Sequence, residues 1–165
     1  MSTMTTLQRC LKYLDSRHVR YAHTTHSAAY TAREVAAREF LTPHQIAKTV
    51  VLMGDGYLFA VIPGDRHVSI EKMRLVTGVE NARIASEREL FLLFPNAELG
   101  AMPPLGPLFD IPVYLDREFE EEEFIVFNAG THRDVIHMRM RDFISLVKPV
   151  IGEFSRMEIP AMAMA

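Results

Sequence analysis

The chain of 165 residues has one cysteine, Cys10. It has no partner for an internal disulfide, and a lone thiol fits a reducing, cytoplasmic setting. No apolar run approaches the ~20 residues of a membrane span, so no membrane partner is expected. The opening Met1-Ser2-Thr3-Met4-Thr5-Thr6 is polar and leads into an amphipathic segment rather than a secretion signal. Positive charge is not in excess: 18 Lys and Arg stand against 21 Asp and Glu, a formal net charge of −3. That excludes a protein holding nucleic acid by bulk electrostatics alone, while leaving room for a local basic patch. No phosphate-binding glycine fingerprint is present, and His23 and His26 form an H-x-x-H spacing with no further ligand at a recognisable distance. Neither a cofactor nor a metal is expected. With no internal repeat or linker, residues 1–155 read as one domain, and 156–165 as a flexible tail without a patterned face.

What the chain does have is core. A 48% share of hydrophobic residues against 24% charged suits one globular domain. An opening helix is expected over Thr5 to Arg17, with Leu7, Cys10, Leu11 and Leu14 on its apolar stripe. That stripe makes Cys10 a buried residue rather than a nucleophile. His18 to His23 reads as a short strand. Thr31-Ala32-Arg33-Glu34 has capping-box spacing, so a second helix runs through Glu34 to Phe40. Ser69 caps a helix from Glu71 to Val76 that Gly78 stops. Ser86-Glu87-Arg88-Glu89 repeats the capping box before Leu90 to Phe94, and Pro95 ends that element. Strands follow over Pro107 to Asp116, Phe124 to Asn128 and Asp134 to Met138, then a helix from Arg141 to Val147. The acidic stretch Glu118 to Glu123 reads as a solvated loop.

The most informative segment is Ala47-Lys48-Thr49-Val50-Val51-Leu52-Met53, which turns at Gly54-Asp55-Gly56 and returns as Tyr57 to Ile62. Both arms read as buried strands. A lysine at the mouth of such a strand sends its ammonium to water, to a carboxylate such as Asp116, or to an anionic ligand. Two further loops accompany it: Gly100-Ala101-Met102-Pro103-Pro104-Leu105-Gly106 and Asn128-Ala129-Gly130-Thr131-His132-Arg133. Glycine permits close backbone approach and proline fixes loop shape, so a Gly-x-x-x-Pro loop can offer a row of N–H groups to a carbonyl or oxyanion.

These segments, with "HSAAYTAREVA" from His26, "AKTVVLMGDGYLFAVIPGD" from Ala47, "LGAMPPLG" from Leu99, "PVYLD" from Pro112 and "IVFNAGTHRDVIHM" from Ile125, resemble the YbaK-like domain family, also found inserted in bacterial prolyl-tRNA synthetases. The resemblance spans about residues 20 to 148. It implies an α+β fold with a central mixed, largely antiparallel sheet flanked by helices. It also implies an aminoacyl-tRNA deacylase that needs no metal and acts on the acceptor end, in trans near a synthetase. Carried onto this chain, it makes Lys48 a positioning group near the terminal adenosine, and gives the amides of Gly100, Ala101 and Met102 the aminoacyl carbonyl and a water. Tyr30, Thr49, Pro104, Gly106, Asn128, Gly130, Thr131 and His132 become substrate-binding candidates. The resemblance further implies substrate-assisted hydrolysis by the ribose hydroxyl. It offers alanine, cysteine or proline analogues on prolyl-tRNA as first substrates.

Tyr30, Ala47, Val50, Met102 and Phe127 are candidates for a small apolar pocket. His132 is either a ribose or water ligand or an exposed turn residue, while Asn128 and Thr131 can satisfy turn backbone. Arg66, Lys72, Arg74, Arg133, Arg139 and Arg141 are candidate phosphate contacts. Pro103 stands where many family members have Ser or Thr, and neither Pro103 nor Pro104 has an N–H to donate. Two other readings remain open: a binding module of the same fold without catalysis, and a Lys48 Schiff-base enzyme.

Overall fold

A computed structural model describes residues 3–157. In chain order the elements are α1 (Thr6–Ser16), β1 (Tyr21–Thr25), α2 (Ala32–Glu39), β2 (Ala47–Met53), β3 (Tyr57–Pro63), β4 (Arg66–Val68), α3 (Ile70–Thr77), β5 (Arg83–Ile84), α4 (Glu87–Leu93), β6 (Val113–Asp116), β7 (Phe124–Asn128), β8 (Asp134–Arg139), α5 (Met140–Val147), β9 (Val150–Gly152) and β10 (Ser155–Met157). One-turn 3-10 helices cover Pro43–Gln45, Gly106–Leu108 and Arg117–Phe119. Among the described residues, no helix is long and apolar enough to cross a membrane.

Four of the five α-helices described, α1 to α4, start where side chains replace missing backbone acceptors. Thr5 and Ser86 complete reciprocal capping boxes with Gln8 and Glu89, and Thr31 and Ser69 accept from the N–H groups of Glu34 and Lys72. Gly78 ends α3 in the left-handed conformation, its N–H donating to Arg74 O.

A five-stranded sheet, ordered β5-β2-β3-β6-β9, forms the centre. Its β5–β2 and β2–β3 pairs are antiparallel, whereas β3–β6 and β6–β9 are parallel. An antiparallel three-stranded sheet, β1-β8-β7, and the β10–β4 ribbon complete the α+β architecture. Strand alternation sends Val51, Phe59 and Val61 to one side of the central sheet, where they pack with Leu14 of α1, Phe127 and Ile136 of the second sheet and Phe143 of α5. Leu52, Leu58, Ala60 and Ile62 face the other side and meet Met73 of α3 and Phe154. On the far face of the second sheet, α2 packs Val35 and Ala36 against Ile46, Val126 and Val135. Cys10 is fully buried, and burial pushes its thiol up to about 12, which makes it a packing residue.

The structure shortens one expected strand. Of Pro107 to Asp116, only Val113–Asp116 is extended, because Pro107 opens a 3-10 turn and Asp110 has φ +53°. The strand expected at His18 to His23 begins instead at Tyr21, since His18 leaves α1 at φ +56°. The acidic stretch is not wholly solvated: Phe119 is completely buried, and Asp116 accepts from Glu118 N to hold the turn that inserts it. The boundary expected at 155 falls inside β10, where Arg156 and Met157 pair with His67 and Arg66. The expected tail otherwise lies outside the described residues.

Candidate active site

The lysine end of β2 is fixed before the strand begins. Ile46 N donates to Pro43 O at 3.2 Å, and Gly64 N donates to Ile46 O at 2.7 Å. The loop before α2 reaches the same place because Ala29 N donates to His132 O at 3.0 Å. The third wall is the Gly100–Met102 loop. Gly130 N donates to Ala101 O at 2.8 Å, Glu98 N donates to Gly130 O at 2.8 Å, and Ala101 N donates to Glu98 O at 3.0 Å. Gly100 sits at φ +85°, a conformation that strains any residue with a Cβ.

These segments enclose a cavity of about 70 Å³. Its apolar wall is Ala29, Ala32, Val35, Ile46, Ala47 and Met102, and its polar wall includes Tyr30, Thr31, Thr49, Asn128 and His132. Gly100 forms part of the rim, and Lys48 is the one charged side chain of the lining. Tyr30, Thr31, Ala32 and Lys48 also line an adjoining groove of about 520 Å³ whose further residues are Arg33, Pro43, Gly64, Asp65 and His67. The arrangement is a small chamber opening onto a wide channel, with Lys48 at their junction.

His132 is buried, with only 9% of its surface exposed. Its Nε2 lies 2.7 Å from Leu99 O; a carbonyl only accepts, so Nε2 carries the hydrogen and the neutral ring keeps Nδ1 as an acceptor. Tyr30 packs on that ring with centroids 4.7 Å apart. Thr49 shares a face of β2 with Ala47, while Lys48 points to the opposite face. Thr49 Oγ1 is buried and has no hydrogen-bond partner among the described residues.

The structure thus brings Tyr30, Lys48, Thr49, Gly100, Met102, Asn128 and His132 around one cavity. The other expected site residues stand behind it. The Ala101 N–H is spent on Glu98 O, and Pro103 and Pro104 have none. Among the described residues, the N–H groups of Gly100 and Met102 make no hydrogen bond, so they are the amides left to donate. Pro104 is buried. Gly106 packs on β6, where an added Cβ would lie 2.1 Å from Ile111 O. Gly130, at φ +93°, packs on Thr6. Thr131 serves its own turn: its hydroxyl accepts from Arg133 N and Asp134 N and donates to Asp134 Oδ2 at 2.7 Å. Of the other pocket candidates, Val50 packs in the cluster on the opposite side of the sheet and Phe127 lies wholly in the core.

Of the basic residues expected on phosphate, Arg66 bonds Ser155, Lys72 bonds Glu153, Arg74 bonds Ala82 O, and Arg139 and Arg141 pair with Glu123 and Asp142. Arg33, in the first turn of α2, stands on the groove wall, a placement that no local sequence pattern signals.

Asp134 anchors the histidine turn from beneath. Its Oδ1 takes His23 Nε2 at 2.7 Å and Thr25 Oγ1 at 3.1 Å. Burial pushes this carboxyl up, but the hydrogen bonds from Thr131, His23 and Thr25 outweigh it and hold Asp134 below the usual carboxylate range. A carboxylate with a depressed folded pKa contributes stability above its unfolded value of about 3.9, and loses it as pH falls through the folded value. Asp134→Ala is therefore expected to melt below the wild type at pH 7. The gap should narrow as pH drops below 4; a gap independent of pH in thermal melts would refute the assignment.

The sequence matches the family of aminoacyl-tRNA editing domains over residues 26–146. The chain belongs to that family. This editing domain is 32% identical over 113 residues to the proline–tRNA ligase of Staphylococcus saprophyticus, covering 66% of this chain and 19% of the ligase. It is 27% identical over 135 residues to that of Thermosipho africanus, covering 74% and 23%. The editing domain thus spans about a fifth of the ligases it matches. A candidate Cys-tRNA(Pro)/Cys-tRNA(Cys) deacylase of Enterococcus faecalis is 25% identical over 130 residues, with 78% of this chain and 79% of the relative covered. Among solved structures, a candidate trans-editing enzyme for prolyl-tRNA synthetase superposes with a TM-score of 0.80 at 22% identity, over 94% of this chain and 99% of that one. At that identity the likeness is one of fold.

Proposed function

We propose that this editing domain works in trans, hydrolysing the ester between a wrong small amino acid and the terminal adenosine of a tRNA, with prolyl-tRNA as the first candidate carrier. The observation that carries this reading is the small chamber opening past Lys48 onto the groove. A chamber of about 70 Å³ is under half the size of an engineered cavity of about 150 Å³ that admits benzene. It suits a side chain of a few heavy atoms. The groove, with Arg33 and His67, takes the acceptor end, and the domain meets a charged tRNA in the cytoplasm near its synthetase.

In this mechanism Lys48 holds the ribose–phosphate end by charge, so that the ester carbonyl lies against the N–H groups of Gly100 and Met102. Water attacks the carbonyl carbon while the neighbouring ribose hydroxyl relays its proton, accepting one hydrogen as it passes its own toward the ester oxygen. The negative charge that develops on the carbonyl oxygen is met by those two amides. Collapse breaks the ester bond as the relayed proton reaches the leaving ribose oxygen, releasing free amino acid and tRNA. An aminoacyl ester is already activated, and one well-aimed oxyanion donor is worth about 2.7–4 kcal/mol; no nucleophilic side chain is required.

The test is a deacylation panel with one tRNA carrying different amino acids. Alanyl, seryl and cysteinyl esters are expected to be hydrolysed well above the spontaneous rate. The prolyl ester should be slower by about 10- to 200-fold, the range a size-limited apolar pocket achieves. Release no faster than in buffer for every ester would refute the reading.

A further inference from the structure

We infer that the chamber selects substrates by their free α-ammonium group, and that Thr49 is the residue that reads it. The inference rests on the deacylase reading above and adds the class of ester accepted.

Three atoms carry it. Thr49 Oγ1 is buried on the chamber's wall without a partner among the described residues, and a buried hydroxyl left unpaired is a standing cost that a bound ligand can remove. Asn128 spends its Nδ2 on Thr131 O at 3.1 Å, which leaves Oδ1 as an acceptor with no hydrogen bond among the described residues. His132 spends its Nε2–H on Leu99 O, which leaves Nδ1 as an acceptor. The deep part of the chamber therefore offers neutral acceptors, and its lining contains no carboxylate, Lys48 at the mouth being its one charged side chain. A ligand group that answers such a set is a cluster of N–H donors on a short stem. A primary α-ammonium is that group, with three donors on the carbon next to the ester.

Charge placement agrees. The alternation of β2 puts Thr49 on the chamber side with Ala47 and sends Lys48 to the opposite face. Lys48 lines the groove as well as the chamber mouth, so its ammonium has a place in the groove apart from the cation the chamber would hold. Neutral acceptors also release their product more readily than a carboxylate pair would. The accepted class is then the ester of a small α-amino acid with a free primary amine. Esters of α-hydroxy acids and of N-acylated amino acids fall outside it. Proline is disfavoured twice, by its ring and by having one fewer N–H.

The experiment compares the best small ester of the panel with its α-hydroxy counterpart, alanyl with lactyl or seryl with glyceryl, made on the same tRNA by nitrous acid deamination. Each rate is divided by the spontaneous rate of that ester, because the ammonium itself activates the carbonyl. The wild type is expected to accelerate the amino ester at least about tenfold more than the hydroxy ester, the factor that one charge-assisted hydrogen bond of about 1.4 kcal/mol represents. Thr49→Val should bring that ratio toward one, and Thr49→Ser, which keeps the hydroxyl, should restore it. Equal acceleration of both esters by the wild type would overturn the inference. So would a Thr49→Val enzyme slowed equally on both. No acceleration of any aminoacyl ester would instead overturn the deacylase reading beneath it.

Discussion

Replacing Lys48 by methionine is expected to lower kcat/KM for deacylation by about 100-fold or more while leaving the melting temperature within a few degrees. Methionine keeps the apolar stem and removes only the charge, so the packing of β2 against β3 is unaffected. What is lost is the one charged group that both the chamber and the groove share. An electrostatic contact that fixes a reacting ester is worth about as much as an oxyanion donor, 10²–10³ in rate. Lys48→Arg should rescue little, because a planar fork does not replace a compact ammonium on a flexible stem. Steady-state kinetics on the best ester decide the matter. Activity of Lys48→Met within threefold of wild type would remove the lysine from the mechanism.

The second large effect concerns stability. Asp116 is almost fully buried, and its carboxylate accepts four hydrogen bonds. Oδ2 takes the N–H groups of Phe154 and Ser155 at 3.0 and 2.9 Å, and Oδ1 takes Ser155 Oγ at 2.9 Å and Glu118 N at 3.0 Å. Asp116→Ala leaves those donors buried without an acceptor. Breaking such a buried charged network costs about 3–5 kcal/mol, a large part of the 5–15 kcal/mol that holds a domain together. At about 2–4 °C per kcal/mol for a chain of this size, calorimetry should record a fall of roughly 10–15 °C. Asp116→Asn, which keeps one acceptor oxygen, should fall less. An unchanged melt for Asp116→Ala would show that the β9–β10 turn is held by other contacts.

Asp116 also illustrates what the sequence could and could not say. As a strand-end carboxylate it was a candidate partner for Lys48. Its actual role as a clamp on residues 154 and 155 lies nearly forty positions away and has no local signature. The same limit hid β4, β5, β9 and β10, strands of two or three residues whose partners are distant in sequence. Elements defined by neighbouring residues were legible: the Lys48 hairpin, the helix caps at Thr31 and Ser86, and the stop at Gly78.

The site divides in the same way. Lys48 was legible as a charge at the mouth of an apolar strand and His132 as a histidine in a turn, whereas Thr49 and Asn128 became candidates through the family resemblance. Ala29, Ala32, Val35 and Ile46, which set the size of the chamber, carry no chemistry that a sequence displays. Gly106 and Gly130 were read as ligand-approaching glycines, when the close approach is to Ile111 and to Thr6. A glycine signals that something comes near its Cα without saying what.

The walls of the chamber come from residues 29–35, 46–49, 100–102, 128 and 132, so nothing local assembles it. Its formation waits on pairings of high sequence separation, such as β1 with β8, and on parallel strands that must close long loops. Such contacts are the slow ones in folding. On a ribosome the chamber cannot exist until the chain past His132 has emerged, and during refolding catalytic competence should return with the slowest phase rather than with helix or hairpin formation. The proposed hydrolytic activity would therefore serve as a clock for completed topology, whichever ester it is measured on.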